Sequence, residues 1–188
     1  MDIPTVPTQI TVHLGAPNAN AENITLPFNE YIKNVASSEI YPTWPKEAIT
    51  ANILAQISFT LNRIYTEYYR SRGYDFDITS TTQYDHAFTK NGEVFSNISQ
   101  TVDEIFNNYI VRDGNIEPLF AQFCDGVRTK CNGLSQWGSV ELANGGMTAL
   151  EILKSYYGDN ISLVTDAPVG ENIPSYPGTP LSRGDFGE

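Results

Sequence analysis

One carboxylate in this sequence keeps unusual company. In "NVASSEIYPTWP", Asn34 to Pro45, Glu39 is followed by Ile40, Tyr41, Pro42 and Trp44. Apolar and aromatic surroundings disfavour the ionised carboxylate, so such a Glu retains its proton towards neutral pH. A retained proton is what a general acid donates. The same position also suits a Glu that caps, or pairs at, the mouth of the helix expected after Pro45. The second reactive set is Cys124 and Cys131 in "FCDGVRTKCNG", where Asp125-Gly126 signals a turn that lets the two meet. Three readings stand, in this order: a disulfide if the protein leaves the reducing cytosol, two free structural thiols, and a zinc site. Zinc would need two more ligands from His13 and His86, of which His86 is the better placed. Nothing pairs either Cys with an oriented base, so neither reads as a nucleophile.

The elements that must position these residues are partly legible. "ITVHLG" alternates as a strand does. "LPFNEYIKNVASSEI" reads as a short helix with Pro27 near its first turn. Lys46 to Arg72 is the strongest helical signal: Ile49, Ile53, Ile57, Leu61, Ile64 and Tyr68 form a continuous stripe, closed by Gly73. Ile98 to Tyr109 reads as a second amphipathic helix. "YIVRDGNIEPLFAQF" reads as a hairpin turning at Asp113-Gly114-Asn115. "LSQWGSVELANGG" begins a further helix that stops at Gly145-Gly146. "TALEILKSYYG" follows, with Thr148 and Glu151 as a capping box and Gly158 as its stop. Strands and helices mix without regular alternation, so the expected class is α+β in a single domain, with one long helix, shorter helices and small antiparallel sheets or hairpins.

The chain has 188 residues, 40% hydrophobic and 18% charged, with 11 Tyr and 9 Phe, enough to bury a core. Its net charge of −11 argues against nucleic acid or anionic lipid as a partner and leaves glycans open. No apolar run approaches the ~20 residues of a membrane span. The opening "MDIPTVPTQI" lacks the basic-then-apolar order of a secretory signal. Beyond Val164, Pro168, Pro174, Pro177 and Pro180 punctuate a segment that reads as a linker or wrapping tail. The expected division is therefore residues 1–164 as the domain and 165–188 as the linker.

"VASSEIYPTWPKEAITANILAQ" and "GLSQWGSVELANGGMTALEILKSYYG" together resemble the SpoIID/LytB family, that of stage II sporulation protein D and the amidase enhancers. "TSTTQYDHAF" is similar to the family's Thr-Thr-Gln-x-Tyr segment. The resemblance covers roughly Pro27 to Val164 and makes Glu39, five residues before Trp44, the counterpart of the family's catalytic Glu. It implies lytic transglycosylase action on peptidoglycan strands that have lost their stem peptides, linked to sporulation. The alternative it implies is a non-catalytic module that binds peptidoglycan or enhances a separate cell-wall amidase.

Gln83 and Tyr84 would hydrogen-bond the sugar, although Tyr84 also suits an ordinary half-buried strand position. Trp44, Ser135, Gln136 and Trp137 would line the cleft, with Trp137 either stacked on a sugar ring or packed in the core. No cofactor is required, though some relatives are thought to hold zinc with Cys and His near the cleft. The compartment implied is the bacterial mother-cell cytoplasm, or the spore or cell wall. Two departures stand out: Ile57 occupies the place of a family Arg, and Asn132-Gly133 replaces a His-Gly. "PLSRGDFGE" resembles the start of a peptidoglycan-binding helical module, into which the native protein is expected to continue.

Overall fold

The computed structural model describes residues 3–170. Strand β1 (Val6–Pro7) is followed by β2 (Gln9–His13), in which Ile10 and Val12 are buried while Gln9 faces water. The polar loop expected after Gly15 gives way at Asn23 to a strand, β3 (Asn23–Pro27). This strand runs back antiparallel to β2, from Gln9 opposite Pro27 to His13 opposite Asn23. Ile24 and Leu26 are half-buried against the core while Asn23, Thr25 and Pro27 face water, an alternation only five residues long.

Pro27, with φ −58°, leads directly into helix α1 (Phe28–Glu39), where a missing N–H costs nothing. Phe28, Tyr31, Ile32, Val35 and Ala36 step along one face of α1 and are all buried. The helix ends on Glu39, because Ile40 turns to extended backbone while its N–H still bonds Ala36 O at 3.0 Å.

Helix α2 (Lys46–Tyr65) starts after Pro45 and is shorter than its sequence pattern suggests. The chain leaves the helix at Glu67, which adopts φ 52°, and a 3-10 turn at Arg70–Arg72 follows, closed by Gly73 at φ 91°. Gly73 is thus the stop of that turn and not of α2, and Tyr68 lies outside the helix. From Ala48 to Ile64 every residue of α2 except Thr50 is buried. The reason is a core on each side. Ile49, Ile53, Ile57, Leu61 and Ile64 pack with α1 and β2 residues, whereas Ala51, Leu54 and Ala55 pack with a second apolar cluster that includes Ile110, Leu134, Ile152 and Ile161. The small alanines on that second face let its neighbours come close.

Strand β4 (Ile78–Thr79) lies parallel to β2, giving the sheet order β3-β2-β4. Helix α3 (Ser96–Ile105) stops short of its expected end, because Tyr109 already belongs to β5 (Tyr109–Arg112). The expected hairpin forms its turn, with Gly114 at φ 88° and Asn115 N–H on Arg112 O at 2.9 Å. Its return limb does not become a strand. It makes one bridge, Val111 with Pro118, and Pro118 has no N–H to extend a ladder.

Two short strands, β6 (Phe123–Cys124) and β7 (Leu134–Ser135), pair in parallel. Helix α4 (Gln136–Asn144) follows, then α5 (Ala149–Tyr157), whose Thr148/Glu151 capping box is complete. Strand β8 (Ile161–Val164) is the antiparallel partner that β5 takes instead of its own return limb. β9 (Val169–Gly170) lies parallel to β1. Residues 165–170 therefore stay against the domain, with Ala167 buried and joined to Asn107 by hydrogen bonds in both directions. Pro174, Pro177, Pro180 and "PLSRGDFGE" lie outside the described residues. The architecture is α+β, with α2 as the spine that α1, α3, α4, α5 and β5 contact. Among the described residues no helix is long and apolar enough to cross a membrane.

Candidate active site

Glu39 is set by three separate pieces of chain. As the last residue of α1 it projects from the helix end into the floor of a cleft with a volume of about 680 Å³. Ala87, on the loop after β4, donates its backbone N–H to Glu39 Oε2 at 2.9 Å. Gln136, the first residue of α4, donates its side-chain amide to Oε1 at 3.2 Å.

Gln136 is itself held. Ser139 Oγ donates to the Gln136 carbonyl at 2.6 Å, and Asn52 of α2 donates to Ser139 Oγ at 2.9 Å and to Ala48 O at 2.8 Å. The buried spine thereby fixes the first turn of α4, and that turn fixes the carboxyl group.

Burial raises the Glu39 pKa above the usual carboxylate range, and the bonds from Ala87 and Gln136 oppose that rise without cancelling it. The carboxamide of Gln136 can present either N–H or C=O, so it can accompany Glu39 in both protonation states.

Above this floor stands an aromatic wall. The Trp44 and Trp137 rings lie 4.9 Å apart at 60°, and Tyr41 is 5.8 Å from each. Trp137 is 42% exposed and Tyr41 56% exposed, so these two rings face the open cleft, whereas Trp44 is half-buried and packs against the core. Ser135 caps α4 by accepting the Gly138 N–H at 2.9 Å, which places it at the start of the helix that carries Gln136 and Trp137.

The Ser-Gln-Trp-Gly run has a packing reason for its glycine. A Cβ on Gly138 would stand 2.1 Å from the Tyr156 hydroxyl and 2.8 Å from Ser135 Oγ. Tyr156, the first Tyr of "SYYG", thus occupies the space that Gly138 leaves.

Ser135, serving as the α4 cap, does not line this cleft, and neither do Gln83 and Tyr84. Tyr84 is exposed, and its carbonyl accepts from Arg63 at 3.0 Å. The anchor of their segment is Asp85, which takes bonds from Arg63 Nε at 2.8 Å, Tyr69 OH at 2.7 Å and both the N–H and hydroxyl of Thr79. What the segment gives the site is the Ala87 N–H. Ile57 is fully buried in the core and does not line the cleft.

Cys124 and Cys131 form a disulfide, with their Cα atoms 6.2 Å apart. That pairing corrects the zinc reading, because neither sulfur is free as a thiolate. His86 is spent elsewhere: it is fully buried, its Nδ1 lies 3.2 Å from the Tyr31 hydroxyl, and it stacks on Phe123. Burial lowers its pKa to about 4. Among the described residues no group of three or more His, Cys, Asp and Glu is placed to hold a metal ion.

The disulfide closes a loop that sequence reasoning did not place at the cleft. Asp125, Val127 and Arg128 line its rim. Asp125 Oδ1 accepts the backbone N–H groups of Val127, Arg128 and Thr129 at 2.9, 3.0 and 2.9 Å, which lowers its pKa, the Thr129 bond contributing most. Asp125 O also accepts the Trp137 N–H at 3.1 Å, joining the loop to α4. Gly126 adopts φ 82°, and a Cβ there would strike Ser135 Oγ. The Asp125-Gly126 signal was readable as a turn, but nothing in it says what the turn faces.

The sequence model of the family described as Stage II sporulation protein (SpoIID) matches residues 19–111, which include Glu39, Trp44 and Ala87. Comparison with curated proteins finds no match.

Proposed function

Since the chain belongs to the SpoIID family of stage II sporulation proteins, we propose that it cleaves the glycan strands of bacterial peptidoglycan as a lytic transglycosylase, with Glu39 as both acid and base. A sporulation-related cell-wall role follows from the family, and the reaction type is our reading of the site. The observation that carries it is a single desolvated carboxyl group, raised in pKa, on the floor of an aromatic-walled cleft.

One carboxyl group suffices for this chemistry. Glu39 gives its proton to the bridging oxygen as the bond from that oxygen to the anomeric carbon breaks. The 6-hydroxyl of the same muramic acid residue then bonds the anomeric carbon and returns its proton to Glu39, so water is not consumed. A second carboxylate, which most glycosidases need, has no task in this sequence of steps. Trp137 and Trp44 offer ring faces to the sugars.

A second reading has its own support. Ile57 puts an apolar side chain where the family pattern has an Arg, which favours a module that binds glycan or assists a cell-wall amidase without cutting. Digestion of stem-peptide-free strands, followed by mass spectrometry for 1,6-anhydromuramic ends, separates the two. Anhydro products from the native chain and none from Glu39→Gln are expected. Absence of products from the native chain across the pH range would leave the binding role.

A further inference from the structure

We infer that Arg128 reads a carboxylate carried by the bound sugar and so decides which glycans the cleft accepts, a role that rests on the glycan reading above. Three charge-bearing side chains line the cleft: Glu39, Asp125 and Arg128. Glu39 favours its neutral form there. Asp125 already serves three backbone N–H groups within its own loop. Arg128 is exposed, and among the described residues its guanidinium has no carboxylate within 4.0 Å. Beside an ionised Asp125, whose Oδ1 is engaged by its own loop and whose charge Arg128 partly balances, the cleft therefore presents one guanidinium outside any ion pair closer than 4.0 Å.

That charge is placed on purpose-built backbone. The Arg128 N–H is tied to Asp125, the loop is closed by the Cys124–Cys131 disulfide, and Asp125 O holds the Trp137 N–H. Cation and aromatic wall are thus fixed to the same helix start. In a chain with net charge −11, long-range forces repel acidic polymers. A guanidinium at the rim offsets this locally and, as a planar fork, matches a carboxylate with two parallel bonds. The ligand class is a pyranose with a free carboxylate, from a lactyl ether without its peptide or from a uronic acid. A lactyl group still amide-linked to peptide carries no charge and would gain nothing from Arg128.

The test measures binding through tryptophan fluorescence in a Glu39→Gln background, so that nothing is cut. The probes are peptide-free wall glycan, the same glycan with its carboxylates converted to methylamides, neutral chitin oligosaccharides and oligogalacturonate. About tenfold tighter binding of the free-acid glycan than of its amide is expected, shrinking as salt is raised. Arg128→Gln should abolish that preference while leaving chitin binding unchanged, and Arg128→Lys should keep part of it. Circular dichroism checks that both variants fold. Tight oligogalacturonate binding would show that Arg128 accepts uronic acids as well, and weak binding would assign the lactyl source. Equal affinity for acid and amide, or a preference that survives Arg128→Gln, overturns the Arg128 role and leaves the glycan reading standing. Failure of every glycan to bind overturns both.

Discussion

The Gln136 side chain meets the Glu39 carboxyl at 3.2 Å across 97 positions of sequence, so the end of α1 and the beginning of α4 converge on one acidic group. The contact is the narrowest expression of the site. A carboxyl group that prefers to be neutral is partnered by an amide that can face either of its states.

Replacing Glu39 by Gln should remove glycan cleavage and strengthen the fold at neutral pH. A carboxyl group whose folded pKa is raised favours the folded state most when protonated, below its unfolded value. That advantage is lost as pH climbs through the interval up to the raised value. Glu39→Gln has no such loss. Thermal denaturation across pH should show the variant gaining on the native chain as pH rises above the ordinary glutamate pKa of about 4.3. A constant difference at all pH would contradict the assigned protonation.

Gln136→Leu should move the alkaline limb of the activity profile to higher pH. The amide's bond lowers the Glu39 pKa, so its loss lets desolvation push the group further up. A stability loss of about 1 kcal/mol is expected for the missing buried hydrogen bond. A profile that keeps its midpoint would mean the contact does not persist in solution.

Trp137→Ala should weaken glycan binding about tenfold, in line with one lost ring-face contact of roughly 1–1.5 kcal/mol. Because Trp137 is half-exposed, the melting temperature should change little. Isothermal titration and calorimetry on the same samples separate the two effects. A large fall in stability with binding intact would place the ring in the core's service instead.

Reducing the Cys124–Cys131 bond, or substituting both by Ser, should lower stability by about 2 kcal/mol, the loop-closure figure for so short a ring. Discrimination between acidic and amidated glycans should fall with it, because Arg128 sits inside that loop. Unchanged melting with and without reductant would show that the bond does not form in solution.

Gly138→Ala should cost about 1–3 kcal/mol, since its methyl would meet the Tyr156 hydroxyl at 2.1 Å and Ser135 Oγ at 2.8 Å within a helix that cannot move freely. Pairing it with Tyr156→Phe should recover part of the loss. Denaturant unfolding of the two single variants and the double variant provides the check.

Legibility in the sequence followed the physics of each segment. Glu39 was singled out by its neighbours, Ile40 to Trp44, but the groups that hold its carboxyl, Ala87 and Gln136, lie 48 and 97 positions away. The capping box of Thr148 and Glu151 and the turns at Gly114 and Gly146 are local chemistry, and local chemistry is what residue types encode. The end of α2 could not be read, since Tyr68 continues the apolar spacing while Glu67 at φ 52° breaks the helix. The partner of β5 was equally hidden, as β8 lies about fifty residues onward and only Pro118 hints that the nearer limb fails. Gln83 and Tyr84 looked like ligand groups by type, yet their loop serves through the main chain of Ala87, which any residue but Pro could supply. Arg128 carried no pattern at all. Its proposed role comes from the cysteines around it and from its being, among the described residues, the only cation on the cleft wall.

Helix α2 has almost no water-facing side between Ala48 and Ile64. A rod enclosed in this way cannot detach without exposing both apolar clusters at once. Its amides should exchange with solvent deuterium only through global opening, and the molecule should melt as one cooperative unit. The cleft therefore rests on a rigid support, because Asn52, which bonds Ser139 and through it the first turn of α4, sits on that rod.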